Sequence, residues 1–222
     1  MKARLIAGRV LPAANTLIDM LRCAITDRML WPGTEPERRA ALVRQAVHWA
    51  QQGIDLIQLR EKDLPVDMMI GLAKEIKEAI STNGSHTRLV LNSTPQIAIA
   101  AGAHGVHLTS HPIASPDEVR RLYAAASLPR PIVTITCHSV SDVESARSSQ
   151  PDAILFAPVF GKTVGGKIVK SATGLDHLRA ACRAALPIPV YALGGVTAGR
   201  AILCRQAGAA GVAGIRLFHH LL

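Results

Sequence analysis

In the segment DLIQLREKD (residues 55–63), alternation along an extended chain puts Gln58 and Arg60 on one face and Leu59 on the other, with Lys62 just past the end. Two cations and an amide converging from one strand end suit a diphosphate or a carboxylate. The competing reading is a solvated loop in which Glu61 pairs with Lys62, and spacing alone does not choose between them. In LVLNST the extended run ends on Asn92, which either contacts a substrate or caps a helix opening at Pro95. GVHLTSHP places His107 inside an extended run, where burial favours the neutral imidazole of a core residue over a catalyst, and His111 in the loop beyond.

YALGGVT and AGVAGIR end two further extended runs. Gly194 and Gly195 let the backbone come close to an anion, and the amides near Gly214 and Ile215 are placed to point at it. Two tight turns are the alternative, which explains one glycine pair more easily than both. FGKTVGGKIVKSATG (160–174) holds four glycines and three lysines, Lys162 and Lys167 among them, a composition that suits a lid over an anion and equally an exposed loop. IVTITCHS sets Val133, Ile135 and Cys137 on one face and Thr134, Thr136 and His138 on the other. An imidazole at such a strand end titrates near neutrality and can move a proton to or from a ring carbon. Taken from the residues alone, capping the next helix or binding substrate is the commoner use.

These side chains need a scaffold that gathers strand ends. Strand-like runs at 22–26, 55–60, 88–92, 105–108, 132–137, 153–157, 189–193 and 210–213 alternate with helical patterns at 35–52, 66–82, 95–102, 116–126, 141–148, 175–185 and 198–207. The second helical pattern is the clearest, with Met69, Leu72, Ala73, Ile76 and Ile80 on one stripe. Ser141 and Glu144 have capping-box spacing and mark a start for the fifth helix. Eight strands with helices between them predict an α/β fold, a single-domain TIM (β/α)8 barrel over residues 21–222. AGAHGVHL and AGAAGVAGI read as helix C-caps turning straight into strands, so the longer loops carry the site. The last helix is expected to be cut short and residues 1–20 to form an N-terminal extension, for which an extra helix closing the barrel bottom is one expected role.

At 222 residues, with 49% hydrophobic and 18% charged residues, the chain bounds one large core. Aromatics at 3% exclude a stacking platform for single-stranded nucleic acid. The net charge of +9 is dispersed, with no run of five cations, and fits small anionic substrates better than nucleic acid. Cys23, Cys137, Cys182 and Cys204 form no CxxC or ligand cluster and are expected as buried thiols of a cytoplasmic protein. No apolar run reaches membrane-spanning length, and the first 22 residues, interrupted by Asn15 and Asp19, do not read as a signal peptide.

Taken in order, AITDR, IQLREKD, LNS, GAHGVHL, CHS, FAPVF, ALGGVT and AGVAGI, over residues 22–217, resemble the thiamine phosphate synthase/thiazole tautomerase superfamily. The resemblance implies a barrel that binds a thiazole phosphate near Gly194, Gly195, Ile215 and Arg216, with Gln58, Arg60, Lys62 and Asn92 facing the site. It also implies two aspartates that hold Mg²⁺ in the synthase; here those places carry Ser93 and Pro112, neither of which offers an anionic oxygen. The loop after the sixth strand is altered as well. CHS resembles the tautomerase pattern, in which the strand-end His is the acid/base. The expectation is therefore a metal-independent isomerase, a thiazole tautomerase with His138 as its catalytic residue and no cofactor. The alternatives are a divergent synthase, a transferase that joins hydroxymethylpyrimidine diphosphate to the thiazole phosphate with Mg²⁺, and a non-catalytic sensor of such a phosphate. The partner expected is a small molecule, not nucleic acid or membrane, and homo-oligomerisation is left open.

Overall fold

The computed structural model describes residues 19–82, 85–164 and 167–219, and for 162–170 the backbone only. Eight parallel strands close into a barrel: β1 (Leu21–Ile25), β2 (Leu56–Leu59), β3 (Arg88–Leu91), β4 (Gly105–Leu108), β5 (Ile132–Cys137), β6 (Ala153–Phe156), β9 (Val190–Ala192) and β10 (Gly211–Gly214). Seven helices follow strands: α1 (Glu35–Gln51), α2 (Val66–Ser81), α3 (Pro95–Ala100), α4 (Pro116–Ala125), α5 (Val140–Ser148), α6 (Leu175–Ala185) and α7 (Ala198–Gln206). This is the TIM barrel that the alternation predicts. After β10 the chain makes only turns through His219, among the described residues. The extension expected over residues 1–20 lies outside the described residues as far as residue 18.

The two-residue period sorts every strand into an outer and an inner row. Outward side chains, such as Ile57, Leu59, Val133, Ile135, Cys137 and Ile154, meet the helices in one core. The α2 stripe Met69, Leu72, Ala73, Ile76 and Ile80 is buried against it, as its spacing predicts. Inward side chains form a second cluster: Cys23, Ile25, Leu56, Val90, Ala153, Leu155, Tyr191 and Ala213 fill the lumen. At Gly105 the β4 backbone runs so close to β5 that an added Cβ would fall 1.8 Å from the Ile132 carbonyl oxygen of its ladder partner. All four cysteines are buried and free, and burial pushes the thiols of Cys23 and Cys137 up to about 12.

Three local expectations change. The cap of α5 is Ser139, which accepts from the Asp142 N–H while the Asp142 carboxylate accepts from the Ser139 N–H; β5 runs to Cys137, so the helix starts ahead of Ser141 and Glu144. The segment 160–174 is not a plain loop: β7 (Lys162–Val164) and β8 (Lys167–Lys170) pair as an antiparallel hairpin beside the barrel. Glu61 pairs with Arg28, not Lys62.

That last change concerns the mouth of the barrel. Arg28 sits in a 3-10 turn, η1 (Arg28–Leu30), and its guanidinium reaches Glu35 at 2.7 Å, Glu61 at 3.2 Å and Asp63 at 2.7 Å. The Asp63 hydrogen bond, then Glu35 and Glu61, hold the guanidinium firmly protonated against its burial. Burial pushes the Glu61 carboxyl up, and the hydroxyl of Thr26 and the N–H and guanidinium of Arg28 pull against it. Thr26 also accepts from the Arg60 N–H at 2.9 Å, so the β1 and β2 ends are tied through buried polar groups. Removing one member of a buried charged set strands the others without partners. Arg28→Met is expected to cost about 3–5 kcal/mol by urea denaturation. Arg39→Ala, which breaks the half-exposed pair with Glu75, is expected to cost ~0–1 kcal/mol. Equal losses in the two variants would show that the Arg28 cluster holds nothing together.

Candidate active site

Every expected site residue lies at the same end of the barrel, because parallel strands present all their C-termini to one mouth. Gln58 is the deepest. It faces the lumen from β2 at 2% exposure, and its side-chain amide nitrogen has no hydrogen-bond partner. A buried unpaired amide costs about 1–3 kcal/mol, which a ligand acceptor would recover. Arg60 stands half-buried above it, just past β2, and Lys62 is exposed on the following loop. Asn92 sits half-buried past β3, with its N–H on the Leu59 carbonyl at 3.0 Å. The α3 cap is Thr94, whose hydroxyl accepts from the Ile97 N–H, so Asn92 is not spent on capping.

His107 is a satisfied interior residue. Its Nδ1 meets the Thr134 hydroxyl at 2.8 Å and its Nε2 meets the Thr136 hydroxyl at 2.9 Å. The inward face of β5 is therefore Thr134 and Thr136, as the alternation predicts. Burial, and then the charge of Arg60, push the His107 imidazole down to about 3, so it is neutral at working pH. His138 follows on an exposed position. Its Nδ1–H donates to the Ala157 carbonyl at 2.6 Å, and its backbone N–H donates to Asp142 at 2.8 Å. The imidazole thus fastens the end of β5 to the end of β6, with Nε2 left as the acceptor.

On the opposite side, Gly194 and Gly195 take φ of +92° and +66°. A Cβ at Gly194 would lie 2.7 Å from the Pro158 Cα, and one at Gly195 2.8 Å from the Phe160 Cβ. The two loops therefore meet backbone to backbone, which only glycine allows. Gly214 remains in the β10 ladder opposite Ala24, and Ile215 is the first residue beyond it. Among the described residues, no acceptor takes the N–H of Gly195 or Ile215. Arg216 is exposed in the terminal turn, which Trp49 fixes by donating to the Phe218 carbonyl at 2.8 Å. Lys162 and Lys167 begin the two hairpin strands, and their side chains lie outside the described residues. Sequence reasoning missed Thr26, Arg28, Phe160 and Arg200. Only the motif AITDR touches the first two.

The model of the thiamine monophosphate synthase family matches residues 24–218. The chain belongs to this family. Thiamine-phosphate synthase of Roseiflexus castenholzii is 32% identical over 90% of this chain and 89% of its own length, and that of Neisseria meningitidis is 34% identical over 75% and 77%. A solved thiamine phosphate pyrophosphorylase from Pyrococcus furiosus superposes with a TM-score of 0.69 over 90% of this chain and 86% of its own, at 23% identity, a likeness of fold. These relatives overturn the expected isomerase: they are named as transferases, and none of these matches singles out the tautomerase branch. The tautomerase reading leaned on two missing carboxylates and on His138, and a cross-strand fastening accounts for the His138 geometry.

A synthase of this family implies Mg²⁺, so the donors available matter. Mg²⁺ is bound through carboxylates and substrate phosphates. Ser93 and Pro112 offer none, and Glu61 and Asp63 are engaged by Arg28. Among the described residues, no three or more His, Cys, Asp or Glu side chains are grouped to hold a metal. The described residues do not fit a carboxylate-held Mg²⁺.

The lowered His107 has a stability consequence. Unfolded, it titrates near 6.5; folded, near 3; so the unfolded chain binds the extra proton between those values. His104, pushed to about 4 by burial and then by Arg88 and Lys77, acts in the same direction. Their contribution is complete above pH 6.5 and is lost as the pH falls through the window. Urea denaturation from pH 7.5 to 4.5 is expected to show falling stability, with a shallower fall in His107→Asn. An unchanged slope in that variant would refute the buried neutral His107.

Proposed function

We propose that the protein is a thiamine-phosphate synthase, a transferase that joins hydroxymethylpyrimidine diphosphate to a thiazole phosphate. The observation that carries this reading is the likeness to thiamine-phosphate synthases over up to 90% of the chain. In the reaction the thiazole nitrogen forms a C–N bond to the pyrimidine's methylene carbon. The C–O bond to the diphosphate breaks, and its electron pair leaves with pyrophosphate.

The residues of the mouth suit these parts. The unpaired amide of Gln58 reads an acceptor on the pyrimidine at the floor of the site. Asn92 flanks the same ring from β3. Arg60 and Lys62 receive the charge that develops on the departing pyrophosphate, the usual role of cations at a transferring phosphoryl group. The N–H groups of Gly195 and Ile215, which have no acceptor among the described residues, hold the phosphate of the thiazole at the ends of the seventh and eighth barrel strands, with Arg216 following Ile215 in sequence. Neutral His107 shapes the floor between Thr134 and Thr136, and the bond exchange as written asks no proton transfer of it. The partners are small molecules, and no helix among the described residues is long and apolar enough to cross a membrane.

The test is direct: purified protein with both substrates, with and without Mg²⁺, followed for thiamine phosphate. Product formation is expected, and its absence with correctly folded protein would reject the reading. Gln58→Ala is expected to lower kcat/KM by about tenfold to a hundredfold, the worth of one buried hydrogen bond. The double variant Ser93→Asp/Pro112→Asp is expected to bind Mg²⁺ more tightly by calorimetry than the wild type. Unchanged affinity would mean that these two positions do not face a metal.

A further inference from the structure

The glycine loop after β9 is held by a residue that the sequence motifs do not include. Arg200, in the first turn of α7, donates from Nη1 to the Gly195 carbonyl at 3.0 Å. The same guanidinium lies over the ring of Phe160, 4.7 Å from its centroid. Phe160 in turn donates its N–H to the Gly194 carbonyl at 2.9 Å. Three groups thus lock two loops: Phe160, just before the β7–β8 hairpin, and the glycine pair. The far end of the hairpin returns to the same place, since Thr173 donates both its N–H and its hydroxyl to the Pro158 carbonyl and Gly174 donates to Val159.

Peptide planarity gives this lock a direction. In a trans peptide the C=O of one residue and the N–H of the next point oppositely. With the Gly194 carbonyl fixed on Phe160, the Gly195 N–H is turned away from it. With the Gly195 carbonyl fixed on Arg200, the Val196 N–H is turned away from the guanidinium. Neither N–H has an acceptor among the described residues. Both glycines hold a positive φ, so without these two bonds the loop has other conformations within reach. Among the described residues no carboxylate pairs with Arg200, so its charge remains available to favour an anion at the loop.

We propose that Arg200 is a positioning residue for the phosphate of the substrate: it sets the Val196 amide toward the anion directly and the Gly195 amide through Phe160, and so ties that loop to the base of the hairpin. The proposal rests on the phosphate placement given above. The planar guanidinium is required because one side chain must donate in its plane and stack with its face, which an ammonium does not do. Arg200 is exposed, so its replacement leaves the core intact.

The test compares wild type, Arg200→Met, Arg200→Lys and Phe160→Leu, with circular dichroism as a folding control. Two readouts are used: calorimetric titration of inorganic phosphate, and KM and kcat for the thiazole phosphate. Arg200→Met is expected to weaken phosphate binding and raise KM together by about tenfold, with kcat within about twofold, the pattern of lost ground-state binding. Arg200→Lys is expected to recover less than half of the loss, and Phe160→Leu to weaken binding about threefold while its backbone bond to Gly194 persists. Full recovery in Arg200→Lys would reduce the role to bare charge and overturn the proposal. So would unchanged phosphate affinity in Arg200→Met, or a wild type that binds no phosphate. If phosphate affinity falls as expected but the wild type makes no thiamine phosphate, the Arg200 role stands and the synthase reading falls.

Discussion

The closed barrel imposes one constraint on everything else: alternate residues of eight strands must share a lumen in which a polar atom without a partner is costly. Below, the constraint is met with apolar side chains such as Cys23, Leu56, Leu155 and Tyr191. Above, it is met by His107 held between the two β5 threonines, a neutral imidazole with both nitrogens occupied. That arrangement makes a polar floor without a buried charge, whose desolvation would be far costlier. Gln58 beside it is not matched. The Tyr191 hydroxyl of the lumen cluster is likewise without a partner among the described residues, so an unpaired polar atom alone does not mark the site; Gln58 stands out by lying near the end of β2, two residues before Arg60.

The rim obeys a different rule. Arg28 gathers three carboxylates, two of them in the segment that follows β2. A buried set of this kind is weak as a source of stability compared with apolar packing, but it fixes geometry, because its members cannot leave without stranding a partner. Through Thr26 the set reaches the backbone of Arg60. The segment REKD is thus not the solvated loop that its charges suggest; its acidic residues are turned toward Arg28, while Arg60 and Lys62 are not engaged by carboxylates among the described residues.

The barrel was legible because it depends on period and order, both of which survive in a single sequence. The β5 alternation, the α2 stripe and the glycine-rich strand ends each carry their own pattern. The Arg28 and Arg200 contacts carry none: Arg28 meets Glu61 across 33 positions, and Arg200 meets a ring 40 positions earlier, so both exist only once the barrel closes. The α5 cap was misplaced by two residues because Ser139 and Ser141 both precede an acidic residue at capping distance, and only the end of β5 decides between them. The branch of chemistry was misread for another reason. Two missing carboxylates and one histidine stand against a sequence likeness to thiamine-phosphate synthases along nearly the whole chain, and that likeness carries no tautomerase signal.

Charge balance at the mouth connects these points. The acidic groups nearest β2 are consumed by Arg28, and Ser93 and Pro112 add none. Arg60, Lys62 and Arg216 have no carboxylate partner among the described residues, and the N–H groups of Gly195 and Ile215 have no acceptor there, while Asp27 past β1 stays as an acidic group of the rim. An excess of cationic groups at such a rim attracts multiply charged anions. The same field explains why the imidazole in the lumen must be neutral. A second buried cation beneath Arg60 would face both desolvation and repulsion, and the His107 proton is the one group there that can be given up.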